Sequence, residues 1–152
     1  MSRRPFIAGN WKMNLGPEAA RELATGLRSA LADDTAVDVL VAPPAISIPG
    51  VADRLRHTGI LVAGQDLHPA ESGAFTSQLS GEMLKEAGCA YVLVGHSERR
   101  SLFGDDDIAV NAKVHAAYRA GLLPILCVGE TLPQREAGDA VAEVTSKLAK
   151  GL

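Results

Sequence analysis

Two short motifs hold most of the chemistry-bearing side chains of this 152-residue sequence: Gly9-Asn-Trp-Lys-Met-Asn14, with Asn10 and Lys12, and Val94-Gly-His-Ser-Glu-Arg-Arg100, with His96 and Glu98. Each follows a short apolar run of strand type. Together they offer an amide donor, an ammonium charge able to hold an anionic group, an imidazole able to lend or move a proton, and a carboxylate, which is the equipment of an enzyme site. One member is missing, because no later strand-type run carries a carboxylate placed to act as a base. Glu130, after the last run, is the weakest of the candidates.

These side chains need elements to hold them, and the same unit recurs along the chain: an apolar run, a polar loop, then a helical pattern. Five runs are read, Pro5–Gly9, Val37–Pro43, Ile60–Gly64, Ala90–Gly95 and Leu122–Gly129. Near-continuous apolar strands without alternation imply a parallel sheet covered on its faces. Between Pro17 and Leu31, residues Ala20, Leu23, Ala24, Leu27 and Leu31 fall on one stripe, and Pro17 suits a first helical turn. Asp105 is read as the N-cap of a helix running to about Ala120, with Gly121 as a left-handed cap. The run Asp105-Asp106-Asp107 is taken as that helix start, where carboxylates meet the positive end of the dipole, and not as a metal site. Thr131-x-x-Gln134 has the form of a capping box opening a last helix that reaches about Lys150.

Five such units fit two architectures. A doubly wound sheet of flavodoxin type would be complete in this length. A (β/α)8 barrel needs roughly 250 residues, so five of its eight units would take about 156, close to the 152 present. In both folds active groups gather beyond the C-terminal ends of the strands, where Asn10, Lys12, His96, Glu98 and Glu130 fall. No glycine-rich phosphate loop follows the first run, which speaks against a nucleotide-binding doubly wound sheet.

Composition narrows the function classes. Charged residues make up 22% and the formal net charge is −3, which gives no footprint for nucleic acid. The apolar runs are about five to seven residues, far short of the ~20 that span a bilayer, and Met-Ser-Arg-Arg-Pro opens the chain with no apolar region behind it. A cytoplasmic protein without membrane or nucleic-acid partners is expected. Cys89 and Cys127 match neither a disulfide framework nor a metal spacing and are read as reduced core thiols. One domain, residues 1–152, follows from the length and from the lack of a linker or low-complexity tract.

Seven stretches, in order and with matching spacing, resemble the triosephosphate isomerase family: Ala8-Gly-Asn-Trp-Lys-Met-Asn14, Val41-Ala-Pro-Pro44, Gly64-Gln-Asp66, Gly73-Ala-Phe-Thr76, Tyr91-Val-Leu-Val-Gly-His-Ser-Glu-Arg-Arg100, Phe103-Gly104 and Cys127-Val-Gly-Glu-Thr131. The resemblance implies a partial (β/α)8 barrel comprising strands 1–5 with their helices. It implies interconversion of glyceraldehyde 3-phosphate and dihydroxyacetone phosphate through an enediolate, in glycolysis and gluconeogenesis, without cofactor or metal. Lys12 then matches the lysine facing the phosphoryl group and the developing enediolate, and Asn10 the amide donor to a substrate oxygen. His96 matches the electrophile, and this family is itself the standard illustration of a neutral imidazole in that role. Glu98 matches the carboxylate beside the lysine and histidine, and Cys127 a packing residue beneath the site.

The segment Gln65–Gln78 resembles the long third loop through which the family dimerises, with Phe75 and Thr76 at its tip, so an interface through Gln65, Phe75 and Thr76 is expected. A 14-residue loop is uncommon unless it is functional. Ser77-Gln78 departs from the family's usual Gly-Glu, which removes a charge that could pair with Arg99. The larger departure concerns the sixth strand with its glutamate base, the lid and the last phosphate loops, none of which the 152 residues contain. Little or no activity of the chain by itself is therefore expected, a general base being worth about 10²- to 10⁴-fold in rate. Open strand edges imply a homo-oligomer or a complementing C-terminal segment. Two further readings stand beside this one: a non-catalytic assembly fragment of the barrel, and a carbonyl enzyme using Lys12 as a Schiff-base amine.

Overall fold

The computed structural model describes residues 3–31 and 36–152; the opening Met1 and Ser2 and residues 32–35 lie outside the described residues. Five strands form one sheet: β1 (Phe6–Asn10), β2 (Asp38–Ala42), β3 (Ile60–Gly64), β4 (Tyr91–Val94) and β5 (Leu123–Leu126). All neighbours pair in parallel, and their spatial order is β1-β2-β3-β4-β5. A doubly wound sheet reverses its strand order at a switch point, so the sequential order excludes that alternative. Curvature is visible across the concave face, where the rings of Phe6 on β1 and Tyr91 on β4 have centroids 5.6 Å apart. In a flat sheet strands three places apart would lie about 14 Å from one another. The sheet is therefore a curled half-barrel, the partial (β/α)8 architecture expected from the sequence.

Among the described residues, seven helices connect and cover the strands: α1 (Pro17–Leu31), α2 (Ile48–Leu55), α3 (Gly81–Glu86), α4 (Ser97–Phe103), α5 (Asp107–Arg119), α6 (Leu132–Glu136) and α7 (Ala140–Gly151), with a 3-10 turn over Ala45–Ser47. The main core lies between the helices and the convex face, joining Ala20 and Ala24 of α1, Val51 and Leu55 of α2, and Val110 and Val114 of α5 to Val41, Val62, Val92 and Val94 of the strands. A smaller cluster of Leu40, Ala42, Ala63 and Leu93 lines the concave face. Alternate strand residues thus face the two layers, as the period of two requires. The outermost strands are less covered, with Ile7 58% and Leu123 51% exposed.

Two local expectations are corrected. The last helix is not continuous from Thr131 to about Lys150: the capping box of Thr131 and Gln134 is formed, but α6 ends at Glu136 and Gly138, at φ 85°, turns the chain before α7 begins. A left-handed residue cannot continue a right-handed helix. Asp105 is not the N-cap of α5; Asp106 is, its Oδ1 accepting from the N–H of Ala109 at 2.8 Å. Asp105 instead turns inward, for a reason given below. Gly121, at φ 70°, follows α5 as expected.

Candidate active site

The C-terminal ends of β1 and β4 bring the two motifs together. Asn10 closes β1, and its Oδ1 accepts from the N–H of Lys12 at 2.9 Å, a local turn that holds Lys12 at φ 53°. Left-handed backbone at a non-glycine residue costs of order 1–3 kcal/mol and persists where the surroundings enforce it. From that turn Lys12 Nζ reaches Glu98, 86 residues later, and donates to its Oε1 at 2.7 Å. The ammonium beside it holds the Glu98 carboxyl below its ordinary value. Both side chains remain about half exposed, 52% and 48%, which leaves the ammonium open to a further anion.

His96 is the N-cap of α4, and its Nδ1 accepts from the N–H of Glu98 at 3.2 Å. An imidazole nitrogen that accepts carries no proton, so the ring proton sits on Nε2. Glu98 Oε2 lies 3.6 Å from Nδ1, too far for a hydrogen bond. The first-turn amides of α4 point toward the ring, and one of them, the Glu98 N–H, is the donor to Nδ1. Beside it opens a cleft of about 650 Å³ lined by His96, Ser97, Arg100, Cys127, Gly129 and Lys147, among others. Burial pushes the Cys127 thiol up, against the nearby charge of Arg100. Glu130 is engaged by Arg135, and hydrogen bonding at its own backbone together with that guanidinium keeps its carboxyl below the ordinary range.

The loop between β3 and α3 has internal order. The His68 N–H donates to Leu79 O at 2.7 Å, the Ala70 N–H donates to His68 Nδ1 at 3.1 Å, and the rings of His68 and Phe75 lie 3.9 Å apart. Phe75 and Thr76 stand exposed at the tip. Gln65 acts within the chain, its Nε2 donating to Lys12 O at 2.8 Å and Ala42 O at 2.9 Å. Ser77 takes φ 72°, a conformation that glycine adopts without strain.

Behind the site is a network that the sequence reading missed. Lys113 on α5 is 5% exposed, and its Nζ donates to Asp66 Oδ1 at 2.7 Å and to Asp105 Oδ2 at 2.6 Å. Arg99 on α4 joins the same two carboxylates, to Asp66 at 3.2 Å and Asp105 at 3.4 Å, and stacks over the Phe103 ring at 4.4 Å. Burial raises Asp105, but the hydrogen bond and charge of Lys113, aided by Arg99, outweigh it and hold the carboxyl below its ordinary value. Asp105 is turned inward by these cations. One signal was available: Val110, Lys113, Val114 and Ala117 share a helical stripe, so a lysine stands where the pattern asks for an apolar residue.

A half-barrel whose strand ends gather a lysine, a histidine and a carboxylate defines a (β/α)-barrel protein with its functional face at the usual end. The family model described as triosephosphate isomerase matches residues 5–152. The triosephosphate isomerase of Rhodopirellula baltica is 46% identical over 148 residues, covering 97% of this chain and 58% of that protein. That of Acetivibrio thermocellus is 51% identical over 139 residues, covering 91% and 55%. A crystal structure of triosephosphate isomerase from Bartonella henselae superposes with a TM-score of 0.92 at 41% identity, covering 99% of this chain and 62% of that one. The chain belongs to the triosephosphate isomerase family and spans about 58% of the length of such curated relatives.

Proposed function

We propose that these residues supply the electrophilic and phosphate-facing half of a site interconverting glyceraldehyde 3-phosphate and dihydroxyacetone phosphate. The observation that carries this reading is one constellation: Lys12 Nζ on Glu98 Oε1 at 2.7 Å, with His96 Nδ1 accepting from the Glu98 N–H at 3.2 Å. Nε2–H is then the donor left for a substrate oxygen, and a neutral imidazole lends a hydrogen bond to an enediolate oxygen without first losing a full proton. Lys12 offers a point charge to the phosphoryl group and to the developing oxyanion, Asn10 an amide to the same oxygen, and Glu98 fixes where the ammonium stands.

The proton-abstracting base is the part these residues do not provide. Glu98 is engaged by Lys12 and Glu130 by Arg135, and both carboxyls are held below the ordinary range, Glu98 by the Lys12 hydrogen bond and Glu130 by hydrogen bonding at its own backbone and by Arg135, so neither is a free base of raised basicity. The 152-residue chain by itself is then at most weakly active. A complementing segment bearing the base, a lid and further phosphate contacts restores the reaction, and self-association through Phe75 and Thr76 at the exposed loop tip accompanies it, in the cytoplasm.

The test is isomerisation of glyceraldehyde 3-phosphate by the purified chain, alone and mixed with a chain supplying the remaining βα units. Activity only in the mixture, lost on Lys12→Met or His96→Gln, supports the proposal. No activity in a mixture that demonstrably associates favours a non-catalytic assembly role, and turnover by the chain alone contradicts the missing-base argument. Borohydride trapping of an adduct on Lys12 would replace this mechanism with Schiff-base chemistry.

A further inference from the structure

The helix that begins at His96 is short and poorly buried. α4 has seven residues, none of them buried, and Leu102 and Phe103 are 72% and 66% exposed. A two-turn helix has no stability of its own in water, so its orientation, and that of the imidazole at its start, must be imposed through contacts other than a packed apolar face. Arg99 ties it to the Asp66–Asp105–Lys113 network. Arg100 reaches elsewhere: its Nε donates to Gly95 O at 3.1 Å and its Nη1 to Asp107 Oδ1 at 2.8 Å. Asp107, on the first turn of α5, also pairs with Lys150 of α7 at 3.2 Å.

The carbonyl that Arg100 holds belongs to the peptide joining Gly95 to His96. Gly95 sits at φ 72°, and a Cβ there would meet Val110 at 3.1 Å and Arg100 Nη2 at 3.4 Å, so only glycine makes this turn comfortably. A glycine peptide has few intrinsic restraints. The guanidinium supplies one, fixing the plane of the peptide from which the His96 side chain departs. Its second arm is anchored to α5, which is packed into the core through Val110 and Val114.

We propose that Arg100 is a positioning residue for His96: by holding Gly95 O while bound to Asp107, it keeps the imidazole oriented with Nδ1 on the Glu98 N–H and Nε2–H directed outward. The importance of that tautomer to the reaction rests on the functional reading above; the positioning itself does not.

The experiment is ¹⁵N NMR of the His96 ring in the 152-residue chain at neutral pH, with urea denaturation run alongside. In the unsubstituted chain one protonated and one unprotonated ring nitrogen are expected as separate signals. In Arg100→Ala the two-line pattern is lost through tautomer exchange, and guanidinium chloride, well below denaturing concentration, restores it while methylammonium does not. A folded Arg100→Ala chain that keeps the pattern overturns the proposal. If Arg100→Ala does not fold, Asp107→Ala decides, since it removes the anchor and leaves the guanidinium: loss of the pattern supports positioning, and an unchanged pattern overturns it. A role confined to stability would lower the urea midpoint and leave the ring signals of the folded chain in place. Lack of isomerase activity in complemented mixtures would count against the functional reading without touching this result.

Discussion

Replacing Lys113 with methionine isolates the electrostatic role of the buried network. Methionine keeps most of the stem's volume, so the packing change is small, while three short contacts disappear: to Asp66 Oδ1 at 2.7 Å, Asp66 Oδ2 at 2.9 Å and Asp105 Oδ2 at 2.6 Å. Two carboxylates, 20% and 8% exposed, then face Arg99 alone, across contacts of 3.2 and 3.4 Å. Removing one partner from a buried ion pair costs about 3–5 kcal/mol, mostly as the penalty of the charge left behind. With an m-value of about 1–3 kcal/mol/M in urea for a chain of this size, the midpoint should fall by roughly 2 M. Adding Asp105→Asn should recover much of the loss, with a coupling of about 1–3 kcal/mol in the double-mutant cycle. The pH dependence has a definite sign. In the unsubstituted chain the Asp105 carboxyl is held below its ordinary value, so its contribution is present above the usual carboxylate pKa and is lost as pH falls through the lowered one. In Lys113→Met the main lowering partner is gone and burial raises the group, so protonation relieves the variant. The stability gap should therefore narrow between pH 7 and pH 4. Urea unfolding followed by circular dichroism at both pH values measures it; a loss under about 1 kcal/mol at pH 7, or a gap that widens on acidification, refutes the reasoning.

Three further outcomes follow from particular positions. Ser77→Gly should stabilise the chain by about 0.5–1 kcal/mol, because glycine removes the left-handed penalty at φ 72° and its own added chain entropy offsets part of the gain; a lower melting temperature would contradict this. Cys89 is 3% exposed, and burial, against the charge of Lys85, pushes its thiol up to about 12. It should react with a thiol reagent at pH 8 roughly 10³-fold more slowly than free cysteine, after Cys127 and only as the chain opens; stopped-flow labelling with mass-spectrometric assignment reads the order. The exposed strands β1 and β5, with Ile7 and Leu123 more than half open at 58% and 51%, should make association concentration-dependent in sedimentation at micromolar levels. Phe75→Ser would weaken contacts made through the loop tip and leave edge association intact, and a strictly monomeric chain would refute both.

What could be read from the sequence is what local rules write there. Helix α1 runs Pro17–Leu31, the bounds its apolar stripe and starting proline indicate, because periodicity and capping act over a few residues. The Thr131–Gln134 box formed for the same reason. Strand order was not available in that way: two architectures share the same alternation of runs, and only pairing across the sheet separates them. Asp105 shows the limit most sharply. Three adjacent aspartates look alike in sequence, yet Asp106 caps α5, Asp107 anchors Arg100 and Asp105 turns to Lys113 and Arg99. The inward turn of Asp105 depends on a lysine that also holds Asp66, 47 residues from it in sequence.

The same logic of distant partners explains how an imidazole can stand beside a carboxylate and still have Nδ1 bonded to a backbone N–H. A carboxylate within hydrogen-bonding distance of Nδ1 would draw a proton onto that nitrogen and leave the ring charged or turned. Here Glu98 supplies two different groups to two different partners. Its carboxylate goes to Lys12 at 2.7 Å, with the second oxygen 3.6 Å from the ring, while its backbone N–H occupies Nδ1 at 3.2 Å. The ammonium of Lys12 engages the carboxylate, and Nδ1 is left to the N–H at the start of the helix. A strand end 86 residues away in sequence thus reaches the residue whose N–H meets His96, and the two motifs come together because the sheet brings β1 and β4 onto the same curled face.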